Sequence, residues 1–299
     1  MNGLSLRGVI VPLVTPFHED GQVNHPALRQ LVDFLLENGV HGLFVAGTTG
    51  EGPLLSLAER RAVAETVVDQ AGGRAPVLVQ AGTPSTEETV ALVEHAHATG
   101  ADGAALLCPY FFRLSEEALI RHFCTVAERA PGSFPLYLYN IPQLTGNNIS
   151  PAVSQAVAQE CPNVLGEKDS SGNLLQIIDK LGVREGDFQM LVGSDGLILP
   201  GLVAGVAGAV SGNANVFPEL FVALFEAYWR GDLTDAQELQ ERIHRVRRIL
   251  RDGGDISLFK AMLAHRGIEA GPVRAPLVNA TPATVRACRE ELQEMGLPV

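Results

Sequence analysis

Eight short apolar runs recur along the 299-residue chain, and the ends at Ala46, Ala81, Cys108, Tyr139 and Lys168 lie 35, 27, 31 and 29 residues apart. Segments of helical periodicity, opened by capping residues, separate them. No G-x-G-x-x-G turn follows the first run, which continues as Val14-Thr15-Pro16-Phe17. One strand and one helix per ~30 residues, eight times over, predicts the α/β class: a (β/α)8 TIM barrel rather than a doubly wound open sheet. Helices without intervening strands follow. The predicted organisation is a barrel over residues 1–230 and a C-terminal helical extension over 231–299, packed on the barrel.

The strands are predicted at Val9–Val14, Gly42–Ala46, Val77–Ala81, Ala104–Cys108, Leu136–Tyr139, Val164–Lys168, Gln189–Gly193 and Ala207–Ser211. Their apolar residues are nearly continuous, as in parallel strands covered on both faces. Leu28, Leu31, Val32, Leu35 and Leu36 form a helical stripe opposite Arg29, Asp33 and Glu37. Ser56-Leu57-Ala58-Glu59, Ser85-Thr86-Glu87-Glu88 and Thr234-Asp235-Ala236-Gln237 read as capping boxes. Ser150-Pro151 sets a capping serine before a proline at the first helical position, and Glu116 and Glu117 after Ser115 suit a helix N-terminus. Pro218–Trp229, Thr234–Leu250, Ile256–Arg266 and Pro282–Met295 are predicted helices. The first closes the eighth unit.

The formal net charge of −12 argues against a nucleic-acid or anionic-membrane partner. No run of ~18 apolar residues suggests a membrane span. The N-terminal apolar stretch, broken by Pro12 and Pro16, is expected to be a strand rather than a secretion signal. Cys108, Cys124, Cys161 and Cys288 form no C-x-x-C pair and predict reduced thiols and a cytoplasmic location. No H-E-x-x-H, Cys/His cluster, G-x-S-x-G or P-loop is present, so neither a metal nor an organic cofactor is expected.

Lysine is scarce: Lys168, Lys180 and Lys260 stand against 19 arginines. Active sites of (β/α)8 barrels lie at the C-terminal strand ends. Lys168 ends the sixth strand there, where burial would favour a neutral amine that condenses with a ketone. Strand alternation turns Glu167 and Asp169 to the other face, away from a simple pair with it. Lys180, near a helix end, and Lys260, within a helix, are expected to be solvated. Tyr139 ends the preceding strand, close enough in register to share a substrate with Lys168, with the Thr48 or Thr49 hydroxyl as a partner for its proton. The glycine-rich turn Gly47–Gly52 offers backbone N–H groups to an anion. With no lysine or arginine nearby in sequence, it suits a carboxylate better than a phosphate.

Four motifs together carry a resemblance: G-T-T-G-E at 47–51, Y-N-I-P at 139–142, G-E-K-D at 166–169 and G-S-D at 193–195. The chain resembles the dihydrodipicolinate synthase/N-acetylneuraminate lyase superfamily of class I aldolases, from about Gly8 to the C-terminal helices. The resemblance implies a barrel with extra C-terminal helices, assembled as a homotetramer that is a dimer of dimers. It implies that Lys168 forms a Schiff base with pyruvate or another 2-keto acid, without a cofactor. Thr48 and Thr49 would bind the keto-acid carboxylate with the turn at Gly47, and Tyr139 would move protons. Tyr110 and Gly193 are further substrate-binding candidates.

Within the superfamily, dihydrodipicolinate synthases commonly carry two tyrosines where this chain has Pro109-Tyr110-Phe111-Phe112. They also carry an arginine where this chain has Leu144. N-acetylneuraminate lyases place a glutamate where Gly196 stands. The motifs at Lys168-Asp169, Ser194-Asp195 and Ser211-Gly212-Asn213-Ala214-Asn215 look most like those of 2-keto-3-deoxygluconate-type aldolases, with Ser170, Asp195 and Ser211 toward sugar hydroxyls. The expected substrates are a small keto acid and an aldehyde, joined in or released from a 2-keto-3-deoxy sugar acid. Dihydrodipicolinate synthase, N-acetylneuraminate lyase or a keto-acid dehydratase using the same imine are the enzymatic alternatives. A non-catalytic keto-acid-binding protein is the remaining one.

Overall fold

The strands form where the apolar runs predict them. In a computed structural model, which describes residues 4–299, they are β1 (Gly8–Pro12), β2 (Gly42–Val45), β3 (Val77–Gln80), β4 (Gly103–Leu107), β5 (Leu136–Asn140), β6 (Val164–Asp169), β7 (Gln189–Val192) and β8 (Gly208–Val210). They follow one another in sequence order around a closed parallel barrel. Six of the eight, β1 to β5 and β8, are buried at every residue, which is why they read as unbroken apolar runs rather than alternating ones.

The helices are α1 (His25–Glu37), α2 (Leu57–Ala71), α3 (Thr86–Ala98), α4 (Glu116–Arg129), α5 (Pro142–Thr145), α6 (Pro151–Glu160), α7 (Leu174–Leu181), α8 (Ile198–Ala204), α9 (Pro218–Trp229), α10 (Leu233–Ile249), α11 (Ile256–His265) and α12 (Pro282–Glu294). The α1 stripe buries Leu28, Leu31, Val32 and Leu35. At α2 the capping box is complete: Ser56 Oγ accepts from Glu59 N–H, and the Glu59 carboxylate accepts from Ser56 N–H at 2.8 Å. Ser85, Ser115 and Ser150 cap α3, α4 and α6 through their hydroxyls, though Glu88 is exposed and the serine half of the box carries the α3 cap. The box expected at Thr234 does not open α10. Asp232 caps it instead, accepting from Asp235 N–H at 3.1 Å, so the helix starts one residue earlier. A carboxylate there complements the positive helix end as well as accepting the bond.

The chain divides into two compact units. One comprises Pro76–Val210 with the segment before Gly8; the other joins Gly8–Ala75 to Ser211–Val299. The first holds β3 to β8. The second holds β1, β2 and α9 to α12, so the C-terminal helices share a unit with the first two strands.

Candidate active site

In the first unit, β6 runs Val164-Leu165-Gly166-Glu167-Lys168-Asp169. Alternation places Lys168 on one face and Glu167 and Asp169 on the other. Lys168 is 5% exposed, and its Nζ lies 4.0 Å from the centroid of the Tyr139 ring, the residue opposite it on β5. Ser170 follows, its N–H donating to Asn140 O at 2.8 Å. Gly193 N–H donates to Asp169 O at 2.8 Å. A Cβ at position 193 would overlap Ser170 Oγ and stand 3.2 Å from Lys168 Cε. The strand ends thus bring Lys168, Tyr139, Ser170 and Gly193 together. Tyr110 stands half-buried beyond the end of β4, and Asp195 stands half-buried in the short 3-10 turn Asp195–Leu197 after β7.

The loops beyond β4, β5 and β6 are stitched to one another. Asn147 Nδ2 donates to Pro109 O and Phe112 O, at 2.8 and 2.7 Å, and Gln143 Nε2 donates to Ser170 O and Ser171 O. Arg113 Nη1 donates to Gly146 O. Leu144 is 62% exposed, and Phe111 is 88% exposed at φ +79°. Cys108, at the end of β4, is no alternative nucleophile: burial pushes its thiol up to about 12.

The other face of β6 overturns one expectation. Lys180 is not solvated but fully buried, its Nζ 2.5 Å from Glu167 Oε1 and 2.7 Å from Asp169 Oδ2. Ser154 Oγ donates to Glu167, and Asn140, Gln176 and the Ser171 N–H donate to Asp169. Burial drives the Glu167 carboxyl up. For Asp169 burial pulls the same way, but Lys180 and the surrounding donors outweigh it and hold the carboxyl below its ordinary value. For Lys180 burial opposes the charge, and the two carboxylates more than restore it.

In the second unit the turn after β2 is held from several sides. Gly52 N–H donates to Gly47 O, Glu51 N–H to Thr48 O, and Thr15 Oγ1 to Gly50 O. A Cβ at Gly50 would lie 2.8 Å from Leu13 O. Thr48 and Thr49 are half-buried, and a Cβ at Gly212 would lie 3.4 Å from Thr49 Oγ1, so Gly212 lies beside the turn. Ser211 is buried, its Oγ accepting from Ala214 N–H at 3.3 Å. Lys260 corrects the second expectation: it is 2% exposed, and its Nζ sits 2.6 Å from Glu51 Oε1. The link of Glu51 to Lys260 and to the Arg274 backbone N–H escaped the sequence reading because more than 200 residues of sequence separate the turn from these partners. The scarcity of lysine was the available signal, and all three lysines are buried. Among the described residues no three His, Cys, Asp or Glu side chains are grouped as metal ligands would be.

The closed parallel barrel thus carries a buried lysine at the C-terminal end of its sixth strand, where sites of this fold class lie. The Dihydrodipicolinate synthetase family matches residues 5–295, and the chain belongs to that family. It is a carbon–carbon lyase. It is 40% identical to an uncharacterized DapA-like lyase of Halobacterium salinarum over 98% of this chain and 95% of that protein. It is 38% identical to the 4-hydroxy-tetrahydrodipicolinate synthase of Methanopyrus kandleri, over 99% and 98% respectively. Among solved structures, the dihydrodipicolinate synthase of Aquifex aeolicus superposes with a TM-score of 0.93 at 34% identity, covering 98% of this chain and 99% of that one. A prophage protein of the same family from Escherichia coli K12, in complex with pyruvate, superposes with a TM-score of 0.92 at 31% identity, covering 97% and 99%.

Proposed function

We propose that the protein is a class I aldolase whose Lys168 condenses with pyruvate or a related 2-keto acid. The observation that carries this reading is the buried Lys168 Nζ against the Tyr139 ring. The neutral amine adds to the keto carbon to give a carbinolamine, and loss of water gives an iminium. The iminium takes up the electron pair of a bond on the neighbouring carbon: loss of a proton from that carbon, or cleavage of its bond to the next carbon, which leaves as the aldehyde once its hydroxyl proton is removed, gives a nucleophilic enamine. Tyr139 carries the proton to and from the carbinolamine and the breaking bond. Thr48, Thr49 and the backbone at Gly47 take the keto-acid carboxylate. Ser170, Asp195 and Ser211 face the sugar hydroxyls, with Tyr110 and Gly193 shaping the pocket. The lysine iminium is the electron sink, so no metal or organic cofactor is needed.

The substrate we propose is a 2-keto-3-deoxy sugar acid, cleaved to pyruvate and a hydroxyaldehyde. Leu144 offers no charge to an acidic aldehyde, and Phe111 no hydroxyl to a proton relay. A second reading, condensation of pyruvate with aspartate semialdehyde, is favoured by the name of the Methanopyrus relative. The Arg113 guanidinium also favours it, because it lies against Gly146, two residues beyond Leu144. We place the boundary between barrel and extension after residue 230, the protein in the cytoplasm, and its assembly as a homotetramer. Leu175 and Ile178 on α7 and Val203 on α8, all exposed, support association with a second copy.

Incubation with pyruvate and borohydride should leave a stable adduct on the peptide containing Lys168. Lys168→Arg should abolish it, since a guanidinium stays protonated. An adduct on Lys180 or Lys260 instead, or none, rejects the mechanism. Product analysis then separates the readings. Pyruvate plus aldehyde from a deoxy-keto sugar acid supports the aldolase, and a dehydrated keto acid without cleavage supports a dehydratase. Efficient condensation with aspartate semialdehyde that falls by one to two decades in kcat/KM in Arg113→Ala supports the second reading, the loss being that of one charge-assisted hydrogen bond, ~1.5–3 kcal/mol.

A further inference from the structure

The turn assigned to the substrate carboxylate contains an anion of its own. Glu51 is 2% exposed and adopts φ +56°, and Ala46 at the start of the turn adopts φ +55°. Such a conformation is uncommon away from glycine and persists only where the surroundings enforce it. Residues of the C-terminal extension hold the Glu51 side chain. Arg274 N–H donates to Glu51 Oε2 at 2.7 Å, and Lys260 Nζ lies 2.6 Å from Glu51 Oε1. Lys260 Nζ also donates to Pro272 O at 2.8 Å and sits 4.2 Å from the centroid of the Phe17 ring. Arg274 covers the same ring at 4.4 Å and is itself neutralised by Glu59, through bonds of 2.7 and 2.9 Å.

A buried carboxylate two residues from Thr49 would repel an incoming substrate carboxylate strongly in so dry a place. We propose that Lys260 is a positioning residue for the keto acid: its ammonium cancels the Glu51 charge, so that Thr48 and Thr49 present an electrically neutral cradle. This deepens the reading of the turn as the carboxylate site and rests on it. The arrangement is poised rather than robust. Burial lowers Lys260 to about 8, with Glu51 opposing the shift and Arg274 adding to it. Glu19 and Glu269 line a cavity together with Lys260. Near neutral pH the ammonium is still charged, and it is lost as pH rises through about 8.

The test is the pyruvate concentration that half-saturates borohydride trapping at Lys168, measured on the whole chain. Lys260→Met should raise it by about tenfold or more, the effect of one uncompensated buried charge, while the trapping rate at saturation changes little. Glu51→Gln should leave it unchanged or lower it. The double variant Glu51→Gln/Lys260→Met, which removes both charges, should recover most of the loss. The wild-type value should rise above pH ~8 and that of the double variant should not. A merely structural pair would raise the value in both single variants with no recovery in the double, and that result overturns the proposal. So does a folded Lys260→Met with the wild-type value. Should Lys260→Met not fold, a double variant with a tenfold-raised value overturns it equally. A wild-type chain that forms no adduct rejects the pyruvate reading itself; one that forms it, with unmoved variants, rejects only the charge balance.

Discussion

Gly193 is a glycine because its neighbours leave no room for anything else. A Cβ there would overlap Ser170 Oγ and press Lys168 Cε at 3.2 Å. Gly193→Ala should therefore displace the amine rather than unfold the chain. The expected outcome is a fall in the rate of pyruvate trapping of about a hundredfold, the scale of a ~1 Å misplacement, with a melting temperature that reflects only ~1–3 kcal/mol of overpacking. A trapping rate within twofold of wild type would show that the two side chains relax without cost. The sequence marked Gly193 as a strand end in a Gly-Ser-Asp motif and as a substrate-binding candidate, without a reason for the glycine. The reason for the glycine is a contact between the ends of β6 and β7, which no local pattern encodes.

Single elements here carry two jobs. One face of β6 carries Lys168, and the other inserts Glu167 and Asp169 into a buried cluster with Lys180 of α7. Removing the cation strands two carboxylates away from water. Lys180→Met should cost about 3–5 kcal/mol in urea unfolding. Lys180→Met/Glu167→Leu should recover part of it, since Asp169 keeps Asn140, Gln176 and the Ser171 N–H as donors. A single-variant loss below ~1 kcal/mol would mean that the carboxylates take up protons and the cluster contributes little. Strand alternation was enough to set both carboxylates opposite Lys168. It could not supply the partner, because Lys180 meets them only once α7 has packed against the strand.

Across the whole molecule, acid stability turns on a histidine far from the chemistry. His122 on α4 is 7% exposed, with Nδ1 2.9 Å from Thr86 Oγ1 and Nε2 without a hydrogen-bond partner among the described residues. Burial lowers it to about 4. Its folded value lies below its unfolded one, so the unfolded chain takes up the proton first. Stability is intact above pH ~6.5, declines as pH falls toward 4, and loses on the order of 3 kcal/mol in that window. Melting curves at pH 7 and 4.5 should show the loss, and His122→Gln should lose less. Equal losses in the two proteins would place the acid sensitivity elsewhere. Glu59 acts in a separate and lower window, because Arg274 holds it down to about 2.

The sequence by itself determined the strands, the starts of the serine-capped helices, the C-terminal helices to within a residue or so, and the catalytic candidates at the strand ends. Those are local properties: apolar runs of fixed length, serines before helices, and a lysine where a strand should stop. Its motifs were specific enough to name a family that the comparisons uphold. Tertiary structure alone decided the fate of the other two lysines, read as solvated because their own helices gave no reason to bury them. Lys180 and Lys260 are buried because carboxylates distant in sequence arrive beside them, and a charge is stable out of water only when its partner is in place. Alternation along β6 could place Glu167 opposite Lys168. Nothing short of the folded chain could place Lys260 beneath the turn at Glu51, since an ion pair between elements is a property of packing.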